Sequence, residues 1–260
     1  MKPLYAGRVA AVTGGTQGVG EAVARALARE GASGLGIAGR NVPRGTAVAQ
    51  ELTAAGCPTI FIRADLHIPE NCTRVVCDTM ARFGRIDGLV NCAAVNTRGT
   101  IEETTVELWD EHMAVNARAP FLTMQEAIKH MRAGGRGGAI VNIITQNAHG
   151  GQPHLVAYSA SKGALATLTK NVAHAVRHDR IRVNGIMLDW TDTPNEDRIQ
   201  RDAHGAGDDW LARAEAAQPM GKLAKTDEIA DLVVLLLSDR GGIMTGALVD
   251  YAQRVPGCFD

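Results

Sequence analysis

The chain has 260 residues, 45% hydrophobic and 21% charged, a globular composition that excludes a disordered polymer. Its 27 basic and 28 acidic residues leave a net charge of -1, which gives no electrostatic footprint for nucleic acid or an anionic membrane. Five cysteines, an odd number with no CxxC pair, argue against a disulfide framework or a zinc ribbon.

The length suits one α/β domain. Arg8 interrupts any signal-peptide pattern at the start, and no apolar run approaches the ~18 residues of a membrane span. The expectation is a soluble, cytoplasmic protein. Arg8–Thr13 (RVAAVT) predicts the first strand. The turn Thr13-Gly14-Gly15-Thr16-Gln17-Gly18-Val19-Gly20 follows it and opens an amphipathic helix, EAVARALAREG. Glycines there let the backbone approach a pyrophosphate, and the helix N-terminus supplies N–H groups and the positive end of its dipole. Gly14, Thr16, Gln17, Gly18, Val19 and Gly20 are therefore candidate dinucleotide ligands.

Leu35–Ala38 predicts the second strand, which ends in Ala38-Gly39-Arg40-Asn41. An NAD site usually carries an acid there to bind the ribose 2′-hydroxyl. Here an arginine stands instead, and a guanidinium grips a 2′-phosphate with two hydrogen bonds. NADP(H) is favoured, with Arg40 and Asn41 at the adenosine end. The alternative is that Arg40 stacks on adenine, which suits NAD equally well. A helix over 43–55 and a strand at Thr59–Arg63 lead to Asp65 and Leu66. Asp65 either accepts a hydrogen bond from the adenine amino group or caps the helix over 70–83.

Further strands are predicted at Ile86–Asn91, Ala139–Ile144 and Arg182–Met187, with helical patterns over 105–132 and 156–178. This alternation argues for right-handed βαβ units and a parallel sheet covered on both faces. The polar segment 191–221 breaks the rhythm with Pro194, Gly205, Gly207 and Pro219. A substrate lid is the favoured reading, and a surface excursion for subunit packing is the other.

Tyr158 and Lys162 stand at i and i+4 near the start of a helix, on one face and about one turn apart. A phenol of free pKa ~10 is a poor base at neutral pH. A neighbouring ammonium is expected to lower it by two or three units, on an order-of-magnitude Coulomb argument.

The ordered set TGxxxGxG at 13–20, Asp65, Asn91-Cys92-Ala93-Ala94, Asn116 within MAVNARAPF, and YSASK at 158–162 resembles the short-chain dehydrogenase/reductase family. The match runs from Gly7 to TGALVD at 245–250. The resemblance implies a single Rossmann-like, doubly wound domain with a seven-stranded parallel sheet, commonly a homotetramer, that transfers hydride with a nicotinamide cofactor. It implies Tyr158 as general acid or base, with Lys162 lowering its pKa and binding the nicotinamide ribose. Asn116 would hold a water that joins Lys162 to a proton relay. Thr145 takes the place of the family serine and keeps its hydroxyl. Asn91, Ala93, Thr191 and Thr193 join the cofactor-binding set, Thr193 at the carboxamide. The chain departs from the family pattern at Leu188-Asp189, where Pro-Gly is usual, and at Asp250-Tyr251-Ala252.

The loop after Thr145 (QNAHGGQPH) is rich in donors and acceptors, and Asn96, Arg98, Asn147, His149 and Trp190 are candidate substrate contacts. Such a pocket favours a sugar, polyol or related hydroxy-carbonyl compound, because an apolar ligand would leave those groups unpaired. An inward-facing Arg98 would suit a carboxylate-bearing substrate instead. No metal site is expected: His174 and His178 lie at i,i+4 but lack a third ligand. The alternative functions are a 3-oxoacyl thioester reductase and a non-catalytic dinucleotide-binding sensor.

Overall fold

A computed structural model describes residues 3–256 and 258. In chain order its main elements are β1 (Val9–Thr13), α1 (Gly18–Arg29), β2 (Gly34–Gly39), α2 (Val42–Ala54), β3 (Thr59–Arg63) and α3 (Pro69–Phe83). They continue with β4 (Gly88–Asn91), α4 (Val106–Met113), α5 (Ala119–Gly134), β5 (Gly138–Ile143) and α6 (Val156–Val176). The last are β6 (Ile181–Leu188), α7 (Pro194–His204), α8 (Trp210–Ala216), α9 (Thr226–Leu237) and β7 (Leu248–Tyr251).

The seven strands form one sheet in the order β3-β2-β1-β4-β5-β6-β7. Every pairing in it is parallel. Successive side chains on a strand point to opposite faces, and here both faces are dry. Ala10 and Val12 of β1 enter a core built with Val23 and Leu27 of α1, Val48 and Leu52 of α2, and Val233 of α9. Ala11 points the other way, into a core with Val75 of α3, Met124 and Met131 of α5, and Val176 of α6. The doubly wound reading therefore holds.

Strand order reverses between β1 and β4, and the crevice outside the carboxyl ends of these strands is where ligands bind in such sheets. Thr13 sews this crevice together. Its hydroxyl accepts from the backbone N–H groups of Cys92 at 3.1 Å and Ala93 at 3.2 Å.

The helix predicted over 105–132 is interrupted. Between α4 and α5 lies a π turn, Ala114–Arg118, which buries Asn116. Periodicity alone does not reveal one inserted residue, because the apolar face resumes beyond it. The polar segment after β6 holds α7 and α8, packed through Trp210, Ala214 and Leu223 with Trp190 against them. Among the described residues no helix is long and apolar enough to cross a membrane.

Candidate active site

A cavity of about 910 Å³ opens at the carboxyl ends of the strands. At one end its wall is the turn between β1 and α1, where Gly14, Thr16, Gln17, Gly18, Val19 and Gly20 all contribute. Gly20 lies so close to this turn that a Cβ on it would fall 2.2 Å from the Gly14 carbonyl oxygen. Gly14 itself has φ +68°, a conformation that a residue with a Cβ resists. Gln17 is the N-cap of α1 but makes no side-chain bond to the helix, and its carboxamide oxygen instead accepts from Arg44. The first N–H groups of α1 thus lack a side-chain acceptor beside a cavity wall opened by three glycines. That geometry fits a pyrophosphate.

Arg40, Asp65 and Leu66 line the same end. The hydrogen bond from His67 is the main influence holding the Asp65 carboxyl below its usual pKa, and Arg40 adds a smaller pull. His67 engages Asp65 through both its ring Nδ1 (2.9 Å) and its backbone N–H (3.1 Å), so the carboxylate is fixed by its own loop.

Two expected cofactor residues lie off the cavity lining. Asn41 caps α2, accepting from the Arg44 N–H at 3.0 Å. Asn91 is buried in the sheet, donating to Asn142 at 2.9 Å and accepting from Thr123 at 2.7 Å. Asn142 in turn donates to Thr169 at 2.9 Å, which completes a polar line joining β4, β5, α5 and α6. Their motif placed both residues near a nucleotide, but cap geometry and sheet burial claim their amides. Ala93 does line the cavity.

Thr145, Tyr158 and Lys162 meet on one wall farther along. Thr145 ends the stretch after β5 and caps a short 3-10 turn, Gln146–His149. Its hydroxyl is the neighbour that pulls the Tyr158 phenol down. Burial dominates both titrations: it pushes the Tyr158 phenol up to about 12 and the Lys162 ammonium down to about 8. The only opposing influence on Tyr158 is Thr145. Lys162 donates instead to the Ile143 carbonyl at 2.7 Å. Proximity on the helix face does not lower the phenol as expected, because desolvation outweighs a charge turned toward β5. His112 stands edge-on to the Tyr158 ring, with centroids 6.3 Å apart.

Asn116 does not face the cavity. Its side chain donates to the Val95 carbonyl and accepts from the Val95 N–H, both at 2.9 Å, and donates to Ser161 at 3.0 Å. Both amide hydrogens are committed, and the carbonyl oxygen keeps one acceptor position. The side chain ties the loop after β4 to α6, and the π turn is what aims it there.

The rest of the wall includes Asn96, Arg98, Asn147, His149, Trp190, Thr191 and Thr193, with the Thr193 side chain beside Gly18 of the glycine turn. Thr193 is the N-cap of α7, accepting from the Glu196 N–H at 3.1 Å. Thr191 bonds the Asp189 carbonyl at 2.9 Å. Trp190 donates to Glu196 at 2.8 Å and lies 6.5 Å from Trp210, tilted by 30°. The departure at Leu188-Asp189 keeps the chain on the sheet, since the Asp189 N–H reaches the Tyr251 carbonyl at 3.3 Å. Asp250, the other departure, accepts from Gln146 at 2.7 Å and pairs with His149 at 3.3 Å, bracing the loop after β5.

His154, the last residue of the polar loop after Thr145, lines the cavity too; sequence reasoning missed Glu196, Gln200, His204 and Arg254, which also line it. No spacing motif marks them. The polar face of the segment over 194–204 was the one available signal. Away from the cavity, Cys77 on α3 and Glu126 and His130 on α5 bring ligand-type atoms within 4.8 Å of one another.

The family model described as Enoyl-(Acyl carrier protein) reductase matches residues 14–251. The chain belongs to the short-chain dehydrogenase/reductase family. It is 31% identical to cis-4-hydroxycyclohexanecarboxylate dehydrogenase of Sinomonas cyclohexanicum, over 96% of both chains. It is 33% identical to the NADP-dependent (R)-specific alcohol dehydrogenase of Lentilactobacillus kefiri, over 93% of both. The crystal structure of a dehydrogenase/reductase from Sinorhizobium meliloti 1021 superposes with a TM-score of 0.85 at 35% identity, covering 98% of each chain. Short-chain dehydrogenases/reductases bind NAD(P), and the glycine-walled crevice at β1 and α1 fits that cofactor. The protein is an oxidoreductase.

Proposed function

We propose that the protein interconverts a secondary alcohol and its ketone with NADP(H), acting on a small polar hydroxy or oxo compound. The observation that carries this is the meeting of Thr145, Tyr158 and Lys162 on one wall of a cavity whose other end is the glycine turn and Arg40. NADP is favoured over NAD because Arg40 offers a fork to a 2′-phosphate where NAD sites present an acid.

Bound there, the nicotinamide supplies or accepts the hydride. The chain's own residues manage the proton. Burial keeps Tyr158 protonated at neutral pH, so it is set to donate its phenolic proton to a carbonyl oxygen during reduction. Thr145, on the same wall as that phenol, holds the same oxygen as charge develops on it. Lys162 binds ribose hydroxyls beside the Ile143 carbonyl. Asn116 is a positioning residue that fixes Val95 and α6. The segment 191–221 acts as the lid, since Thr191, Thr193 and Glu196 all line the cavity. A long acyl thioester is disfavoured by the density of polar side chains on the far wall.

The test is fluorescence titration of the purified protein with NADPH and NADH, followed by turnover on sugars, polyols, hydroxy acids and ketones. NADPH is expected to bind more tightly and to support turnover. Tyr158→Phe is expected to keep cofactor binding while losing about 10²–10⁴-fold in rate. Equal turnover in the variant would sink the mechanism. Cofactor binding with no turnover across the panel would favour a dinucleotide-binding sensor.

A further inference from the structure

The cavity wall collects an arginine and two histidines from three separate segments. Arg98 comes from the loop after β4, His154 from the loop before α6, and His204 from the last turn of α7. Backbone pairing brings the first two together: the Gly99 N–H donates to the His154 carbonyl at 2.9 Å, and Gly99 forms a parallel bridge with Leu155. Arg98 then contacts the His204 ring through Nη1 and Nε2. Arg98 makes no ion pair with a carboxylate among the described residues. The His154 Nε2 atom is buried without a hydrogen-bond partner.

The buried, unpartnered His154 Nε2 is costly as it stands. The Arg98 guanidinium faces an imidazole where a carboxylate would match its donors better. Burial holds the His154 imidazole below its usual pKa, and Arg98 and His204 push it the same way, so all three groups share one field. Besides Asp65 at the nucleotide end, the acids Asp189 and Glu196 line the same cavity. The Glu196 carboxylate is already bonded by Trp190 at 2.8 Å and Gln200 at 2.7 Å. Their negative charge disfavours a dianionic phosphate and leaves room for a monoanion.

We infer that Arg98, His154 and His204 form a carboxylate subsite, so that the substrate is a hydroxy acid or oxo acid. The inference rests on the alcohol–ketone reading above, and it narrows the substrate class within it. Arg98 would take the carboxylate through its planar fork, with the two imidazoles as flanking donors. A neutral polyol would leave that charge unanswered. Because His204 belongs to α7, the carboxylate would also bridge the lid to the cavity floor.

The experiment uses cyclohexanecarboxylate and its amide, cyclohexanecarboxamide, as unreactive probes of nearly equal shape. Binding to the whole protein is measured by ligand-observed NMR, with and without saturating NADPH, for the wild type, Arg98→Gln and Arg98→Lys. The expected result is that the carboxylate binds at least about 10-fold more tightly than the amide. Arg98→Gln should abolish that preference and Arg98→Lys should keep part of it, with unchanged melting curves and NADPH affinity. Equal binding of the two probes, binding of neither, or an undiminished preference in Arg98→Gln would overturn the subsite. Failure of NADPH to bind would strike the NADP(H) reading alone, because the probe preference is also read without cofactor.

Discussion

At the nucleotide end of the cavity the wall is largely backbone: a turn from β1 to α1, held by glycines and by helix N–H groups without a side-chain cap. At the substrate end the wall is side chains, delivered by the loops after β4, β5 and β6 and by α7. The first kind of wall is rigid, because sheet hydrogen bonds fix it and a single added methyl has nowhere to go. The second kind is assembled, since Glu196, Gln200 and His204 are carried to the cavity by α7. One end is built to recognise a constant ligand and the other to be varied.

The sharpest way to break the comparison is Gly20→Ala. A Cβ 2.2 Å from the Gly14 carbonyl must displace the turn, so NADPH binding should fall below detection and stability should drop by more than about 4 kcal/mol. Titration and thermal melts check this. Unchanged binding would mean that the wall yields, contrary to the rigid description. Arg40→Ala touches a side chain at the backbone-built end, and should weaken NADPH about 10- to 100-fold while leaving NADH nearly unaffected. A parallel loss for both cofactors would assign Arg40 to adenine stacking instead.

The smallest expected effect concerns stability. Lys162 has a folded pKa of about 8, below its unfolded value of 10.5. Between pH 8 and 10.5 the unfolded chain holds a proton that the folded chain has released, so stability rises with pH in that window. Below pH 8 the full penalty, about 3 kcal/mol, is present. Lys162→Met should therefore be more stable near pH 7 by about 2 kcal/mol, after about 1 kcal/mol is lost at the orphaned Ile143 carbonyl. Melting curves between pH 7 and 9.5 should be flatter for the variant than for the wild type. A variant that melts lower at every pH would refute the desolvation account.

The same comparison explains what the sequence made legible. The alternating strands and helices, the glycine turn and the ordered set ending in YSASK were enough for the doubly wound sheet and for the wall bearing Thr145, Tyr158 and Lys162. Those features depend on local pattern and chain order. Asn41, Asn91 and Asn116 lay beyond that reasoning, because what decides their roles is which distant backbone or amide each one meets. His204 was harder still: it is an ordinary surface-type residue until α7 brings it to Arg98. Burial also reversed the expected sign at Tyr158, and no sequence spacing carries that information.

The π turn at Ala114–Arg118 has a geometric corollary. Each residue turns an α-helix through about 100°, so one inserted residue sets α5 out of phase with α4 by that angle. The face of α4 that presents His112 to Tyr158 and the face of α5 that fills the core with Met124 and Met131 are therefore on different meridians. Deleting a single residue there would restore a continuous spiral, and it would swing one of those two faces away from its neighbour.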